Sequence, residues 1–491
     1  NEKIYNSYMT MAMTEEEKKV RGIGKFKREG RSKVVPGMMS FLSELGYGSL
    51  AELVSVNKKF EAEGNPLTPA YRYHKRLHEE QQQMLVKTGL KSLYPDMSKF
   101  YLDQQHVHGT ANKRMIEAIR SNPYMDGYCV HALTGGDWIL GAGLLDLWRN
   151  PKSYAYEATK AANQPRIVSI RTIPRNVYAN QGMSLKITGI NDLNNIAANY
   201  EVLIQSKEGK EVFNDQFKFN WQTGISSLFN QKINTKEWSG HYTVKVKVRD
   251  QKNQVLTENF IAFEVFNQED LKAPAGKVAV LDFNGDLKNF LQKNKVKTLD
   301  FSSNTPQNIP VLVSTHKAEN DKELKCFERL LKFIESGGTA VYLDRLTDSV
   351  KTENTITPFT ARVHPSKGLW TCIPHIAMEH PIFKGLQNNG FLRNSYENIW
   401  PKKSLRDLKV DGVRLKVKPL VASIAFDWFS RGHKMGYRGP GPSWWGADMT
   451  LVPFKKGQYL LSQFQLLENL GKDPVADKML FNIITFFTTK H

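Results

Sequence analysis

The sequence SFLSELGYGSL occupies residues 40–50. With the preceding residues it predicts a buried strand over residues 37–43, which delivers the carboxylate of Glu44 at its carboxyl end. Gly46 and Gly48 follow, and glycine lets the backbone turn away at once. In a parallel α/β barrel, side chains at strand ends face the active site, where a carboxylate can act as a nucleophile. The alternative is a glutamate that caps a following helix.

A second apolar run, GYCVHAL at residues 127–133, predicts another buried strand. Between the two runs, residues 112–120 predict a helix that ends before Pro123. Strand, helix and strand in this order indicate a parallel α/β unit. A long charged helix that begins at Thr68, with Pro69 in its first turn, is predicted as an insertion within this unit.

The loop after the second strand carries Asp137 and Trp138. Sugars present apolar C–H faces ringed by hydroxyl groups, so an aromatic ring and a carboxylate together suit them. Trp138 could stack on a sugar and Asp137 could accept a hydroxyl proton. The alternative is a core tryptophan beside a turn aspartate.

Residues 164–270 alternate apolar and polar side chains with a period of two, and turn signals fall between the runs. Several short strands at this spacing predict an immunoglobulin-like β-sandwich. After a linker at residues 269–275, strands and an amphipathic helix alternate again. Residues 275–491 are therefore predicted to form an α/β domain of doubly wound, flavodoxin-like type.

The first 163 residues resemble the C-terminal part of the catalytic barrel of glycoside hydrolase family 2, the β-galactosidase and β-glucuronidase family. Residues 43–46 match its Ser/Thr-Glu-x-Gly motif, and residues 143–146 and 149–152 match the run that closes the barrel. The resemblance implies that residues 1–163 are part of a (β/α)8 barrel in a retaining enzyme. It implies the nucleophile Glu44 and three substrate-binding residues, His131, Asp137 and Trp138. An immunoglobulin-like domain after the barrel is also usual in this family.

Retaining glycosidases need a second carboxyl group as acid and base. The chain opens with Asn1-Glu2, but the 41 residues before Ser43 are too few for the intervening barrel units, at roughly 30 residues each. We therefore expect the acid/base to lie outside these residues. The last domain resembles class I glutamine amidotransferases, yet neither Cys326 nor Cys372 stands at a strand-to-helix elbow. It is predicted to be a non-catalytic accessory domain.

Composition sets the remaining bounds. The chain has 491 residues, 40% of them hydrophobic and 24% charged, which is typical of a globular protein with several domains. No apolar run approaches the roughly 20 residues of a membrane span. The net charge of +19 is spread along the chain, so nucleic acid is not predicted as a partner. The chain has three cysteines, Cys129, Cys326 and Cys372, and we expect them to be buried small side chains. Their number and spacing predict neither a disulfide framework nor a metal site.

These observations predict a β-galactosidase-like retaining exo-β-glycosidase, incomplete in this chain, that acts on carbohydrate without a cofactor. The alternative is a non-catalytic carbohydrate-binding or assembly module derived from such an enzyme. A homo-oligomer, or association with a missing N-terminal portion, is expected. The sequence does not fix the localisation; a periplasmic or secreted protein is favoured if a signal peptide was removed, and a cytoplasmic one otherwise. His106 and His108 are predicted to lie on a helix surface, with contact to substrate as the alternative.

Overall fold

The structure is a computed structural model. It describes residues 2–9, 11, 13, 40–64, 67–134, 141–315, 317–343, 345–346, 359–365, 373–410, 413–426 and 442–489. Asp137, Trp138 and Cys372 lie outside these ranges, as do the first residues of the strand predicted at 37–43.

The N-terminal region holds two strands, five α-helices and a short 3-10 helix (Leu90–Ser92) in its described part. The strands are β1 (Phe41–Leu45) and β2 (Gly127–Val130). The helices are α1 (Glu2–Met9), α2 (Leu53–Ala62), α3 (Pro69–Thr88), α4 (Met97–Arg120) and α5 (Ala155–Ala162). Helix α3 begins as predicted, because the Thr68 side chain accepts a hydrogen bond from Tyr71 N and Pro69 occupies the first turn. The helix predicted at 112–120 is the last part of the longer α4.

Strands β1 and β2 pair in parallel, and Leu45 lies opposite Val130. The connection between them contains α2, α3 and α4, and α4 packs Met115, Ile116 and Ile119 against Leu45. Cys129, predicted to be buried, is instead exposed on β2, and Cys326 is partly buried. The prediction was wrong for Cys129 because side chains alternate along a strand, and its position does not face helix α4.

Residues 166–266 form two facing sheets. The first contains β3 (Arg166–Ile173), β5 (Met183–Asn191) and β8 (Gly224–Ile233) in the order β3-β5-β8. The second has the order β4-β10-β9-β6-β7, with strands at Asn176–Tyr178, Val255–Phe266, Gly240–Asp250, Ile196–Ser206 and Glu211–Trp221. Their inward side chains enclose a core around the fully buried Trp221. The period-two pattern is visible in β9, where Tyr242, Val244, Val246 and Val248 are buried in alternation.

The C-terminal sheet is parallel in one half and antiparallel in the other. The parallel strands are β11 (Lys277–Leu281), β12 (Lys297–Asp300), β13 (Val311–Val313), β14 (Thr339–Tyr342) and β22 (Gly457–Ser462), in the order β12-β11-β13-β14-β22. This is the 2-1-3-4-5 order of flavodoxin-like sheets. Beyond β22 follow antiparallel strands: β21 (Ser443–Phe454), β20 (Pro419–Phe426), β16 (His375–Ala377) and β17 (Gly390–Phe391). Three more strands branch from β21: β18 (Lys403–Val410), β15 (Phe359–Pro365) and β19 (Val413–Arg414).

The sheet is therefore mixed, whereas the sequence pattern predicted a doubly wound parallel sheet. The antiparallel strands lie where the chain is rich in proline and tryptophan, so no alternation of strand and helix marks them.

Helices cover both faces of this sheet. Helices α6 (Asp286–Lys293) and α8 (Pro474–Thr488) pack on one face, and α7 (Asp321–Glu335) packs on the other. The helix predicted at 474–488 is confirmed. The face that bears α7 continues into the antiparallel half, where α2, α3 and the start of α4 pack on Ala422, Ile424 and Phe426. The charged insertion of the N-terminal region thus shares a hydrophobic core with the C-terminal sheet. No helix in the described ranges is both long and apolar enough to span a bilayer.

Candidate functional site

Glu44 and His131 lie at neighbouring strand ends. Glu44 is the penultimate residue of β1 and its side chain is exposed. His131 directly follows β2, and its backbone N–H donates to Leu45 O at 2.8 Å. Because β1 and β2 are parallel neighbours, both residues are at the same, carboxyl edge of the pair. The structure brings these two predicted site residues together.

Gly46 is required by a close approach of two backbones. A Cβ atom at this position would lie 2.5 Å from the carbonyl oxygen of His131, a distance that real Cβ atoms essentially never show. The glycine of the SELG motif therefore lets the two strand ends converge. Sequence reasoning attributed this glycine to a sharp turn, and the structure gives a different reason.

The loop after β1 is held by polar side chains of helix α4. Tyr47 N donates to Asn112 Oδ1 at 2.7 Å. Ser49 Oγ lies 3.0 Å from His108 Nδ1. Leu50 is held at both backbone groups, since its N–H donates to Gln104 Oε1 at 3.4 Å and its carbonyl accepts from Gln105 Nε2 at 3.2 Å.

These contacts determine the proton on His108. Asn112 Oδ1 accepts from Tyr47 N, so Nδ2 of the same amide donates to His108 Nε2 at 3.1 Å. Nε2 is then an acceptor, and Nδ1 carries the proton that faces Ser49 Oγ. Burial, with a smaller contribution from the charge of Lys152, lowers the pKa of His108 well below its usual value. The imidazole is therefore neutral and serves to orient the loop.

Lys152 ties the same loop to a second one. Its Nζ donates to Ser49 O at 2.7 Å and to the carbonyls of Gly141 and Ala142 at 3.2 Å each. The side chain is buried, and this burial lowers the pKa of its ammonium group to about 7. The lysine of the Arg-Asn-Pro-Lys run thus fixes the backbone beside the carboxyl edge of β1 and β2.

Two expectations for the histidines are corrected. His108 is buried, and neither histidine lies on a free helix surface. His106 stacks on Tyr154, with ring centroids 4.1 Å apart, and its Nδ1 lies 2.6 Å from Arg393 Nη1. The surface prediction failed because both faces of α4 pack against other parts of the chain. Asp137 and Trp138 lie outside the described residues and remain sequence predictions.

Sequence reasoning missed the residues that support the loop. They share one face of a helix at a spacing of four, which is a readable signal, and they are Gln104, His108 and Asn112, with Gln105 beside them. Polar side chains at this spacing are typical of a helix surface in water, so the pattern alone did not indicate burial. In the described part of the chain, no cluster of three His, Cys, Asp or Glu side chains could hold a metal ion.

No family model matches this sequence, and no curated protein matches it. Among solved structures, it is similar to a β-D-mannosidase from Dictyoglomus thermophilum, with 19% identity over 49% of this chain and 29% of that chain, at a TM-score of 0.32. It is also similar to the exo-β-D-glucosaminidase CsxA, an exo-chitosanase of Amycolatopsis orientalis, with 15% identity, 48% and 29% coverage, and a TM-score of 0.32. A β-glucuronidase from Bacteroides uniformis matches with 12% identity, 38% and 35% coverage, and a TM-score of 0.18.

These similar structures are glycoside hydrolases, the class of enzyme that the sequence resembles. The chain spans about a third of the length of each of them.

Proposed function

We propose that this chain contributes the nucleophile of a retaining exo-β-glycosidase. The observation that carries the proposal is the exposed Glu44 carboxylate at the carboxyl edge of two parallel strands, with His131 at the end of the neighbouring strand. Carboxylates at this edge of an α/β barrel face the substrate. The resemblance of residues 43–46 to the family 2 nucleophile motif supports the same role.

In the proposed reaction, a carboxylate oxygen of Glu44 attacks the anomeric carbon as the bond to the leaving oxygen breaks. The product is a glycosyl ester of Glu44, and water later cleaves this ester and releases the sugar with retained configuration. His131 would contact the sugar from the neighbouring strand end. Trp138 would stack on the sugar, and Asp137 would accept a hydroxyl proton from it. A second carboxyl group protonates the leaving oxygen in such a reaction.

The buried hydrogen bonds around residues 47–50 support this role. A nucleophile acts efficiently only when its geometry is held in advance. Backbone groups of Tyr47 and Leu50 are bonded to side chains of α4, and Ser49 O is bonded to Lys152. This fixation begins three residues after Glu44, so the strand that carries the carboxylate runs into a supported loop.

The test uses a dinitrophenyl 2-deoxy-2-fluoro glycoside series. The dinitrophenolate group leaves without protonation, and the fluorine slows hydrolysis of the ester, so the glycosyl-enzyme accumulates. We expect one sugar per chain, found by peptide mass mapping on Glu44. Glu44→Gln should abolish labelling, while the matched exposed variant Glu63→Gln should be labelled like the parent.

Labelling of another residue, or equal labelling of Glu44→Gln, would show that Glu44 is not the nucleophile. If no sugar of the series labels the parent while binding of the free sugars is measurable, the chain is instead a carbohydrate-binding module.

A further inference from the structure

Four carboxyl groups are buried where the β-sandwich meets the C-terminal domain. Glu264 belongs to β10 of the sandwich and is 6% exposed. On the other side are Glu397, Asp473 and Asp477, which are 7%, 2% and 4% exposed. Asp473 caps helix α8 through Val475 N, and Asp477 lies in its first turn.

Hydrogen bonds join the two sides through these carboxyl groups. From strand β4, Asn176 Nδ2 donates to both oxygens of Asp473, at 3.0 and 3.1 Å. Two residues on, the Tyr178 hydroxyl donates to Asp477 Oδ2 at 2.7 Å. Acidic side chains of the C-terminal domain are therefore the direct acceptors of the sandwich's polar groups.

The cations that face this cluster are few among the described residues. The guanidinium of Arg175 lies 3.7 Å from Glu397 Oε2, measured from Nε, and its Nη1 donates to the carbonyl of Ala262. At the edge of the cluster, His241 Nε2 lies 3.5 Å from Glu264 Oε1. The Lys478 ammonium is also nearby and donates to the backbone carbonyl of Asp270. With these few cations, four buried carboxylates would repel each other at low dielectric.

We propose that the joint between the β-sandwich and the C-terminal domain is closed when the buried carboxyl groups of Glu264, Asp473 and Asp477 hold protons, and that it loosens as the pH rises. The proposal is independent of the proposed glycosidase activity, because the cluster lies apart from the residues assigned to that site.

The pKa directions agree with this geometry. Burial, with the nearby charges of Asp270 and Asp473, raises the pKa of Glu264 to about 7. Burial also raises the pKa of Asp477 to about 6 and raises that of Asp473 above its usual value. A carboxyl group with a raised pKa in the closed state binds its proton more tightly there than in the open state. Closure is therefore favoured at acid pH, and this contribution is lost as the pH rises through about 6 to 7.

Other titratable and charged groups also face this cluster of carboxyl groups. Those that face the four carboxyl groups are Arg175, Tyr178, His241, Asp270 and Tyr396, with Lys478 bonded to the backbone carbonyl of Asp270 and Lys384 beside Lys478. Burial and the charge of Lys207 lower the pKa of His241, so protonation of its imidazole does not favour the closed state, and the acid-pH effect rests on the carboxyl groups.

The experiment measures amide hydrogen exchange in peptides that cover residues 174–180 and 394–400, at pH 5.5 and pH 8.0, with exposure times scaled to intrinsic exchange rates. In the full chain we expect protection of both peptides to fall by at least about tenfold between the two pH values. The double variant Glu264→Gln/Asp477→Asn lacks two of the titrating groups and should keep most of its protection at pH 8.0. The matched control Glu237→Gln, at an exposed sandwich position, should behave like the parent.

Protection in the parent that does not change with pH would overturn the proposal, whatever the variants do. An equal fall in the double variant would overturn it as well. Peptides from β6 and β9 in the sandwich core report whether each variant is folded, since their protection should not depend on the joint.

Discussion

The ammonium group of Lys152 donates to three backbone carbonyls in two separate loops. The Lys152→Met variant keeps the apolar length of the side chain but leaves these buried acceptors without their donor. We expect it to lower the free energy of unfolding by about 2–4 kcal/mol, because each unsatisfied buried polar group costs roughly 1–3 kcal/mol. Chemical denaturation monitored by circular dichroism checks this value.

Lys160→Met is the matched control, since Lys160 is exposed on α5, and it should change stability by less than about 0.5 kcal/mol. If Lys152→Met proved as stable as Lys160→Met, the carbonyl bonds of Lys152 would contribute nothing to folding.

At the residue scale, the sequence predicted Glu44 and His131 but not what supports them. A carboxylate followed by glycine after an apolar run is a local pattern, and it can be read from neighbouring residues. The supports come from residues some 54 to 65 positions away, such as Gln104 and Asn112, and Lys152 is about a hundred positions away. Which distant polar group meets a given backbone N–H depends on packing, and no local pattern encodes it.

Neighbouring residues in the sequence determine where helix α3 begins and ends, but they do not determine what the helix packs against. Thr68, Pro69 and Gly89 fix its ends through a side-chain cap, a restricted first turn and a left-handed residue. Its stripe of apolar side chains does not distinguish a helix in a surface insertion from a helix that packs against another domain. The structure shows that it covers the antiparallel half of the C-terminal sheet, where Glu80 and Gln81 bond Ser443.

Leu85 tests this contact at the scale of the element. The residue is fully buried between α3 and the sheet, so Leu85→Ala should lower the free energy of unfolding by about 3 kcal/mol through a cavity. The neighbouring Val86 is 60% exposed, and Val86→Ala should cost less than about 0.5 kcal/mol. Urea denaturation measures both values.

Hydrogen exchange locates the effect of Leu85→Ala. Loss of protection should extend to β20 and β21, which pack on α3. Loss confined to the helix would mean that α3 and the sheet do not form one cooperative unit.

At the scale of the whole molecule, the shared core predicts how the C-terminal region behaves alone. A chain of residues 275–491 lacks α2, α3 and α4, so Ile376, Phe391 and Ile424 would be exposed to water. Large exposed apolar patches promote association. We expect this chain to bind the dye ANS more strongly than the 491-residue chain does, and to form larger assemblies than that chain in analytical ultracentrifugation.

A soluble, ANS-silent monomer of residues 275–491 would contradict this prediction. It would show that the sheet rearranges to cover itself once the N-terminal helices are removed.

Helix α4 contacts the loop after β1, the β-sandwich and the C-terminal sheet. Near its start, Phe100 packs on Phe391 of the C-terminal sheet, with ring centroids 5.7 Å apart. Its middle holds the loop that follows Glu44. Near its end, Arg114 Nη1 donates to Ile170 O of the sandwich at 2.8 Å.

For the evolution of such a chain, this arrangement restricts which pieces can be exchanged by recombination. A crossover at residue 275 would replace the partner of Phe100 while leaving α4 in place, so the incoming sheet would need a matching apolar face. Point substitutions in the C-terminal region that preserve its packing against α4 should therefore be retained in evolution more often than replacements of the whole domain.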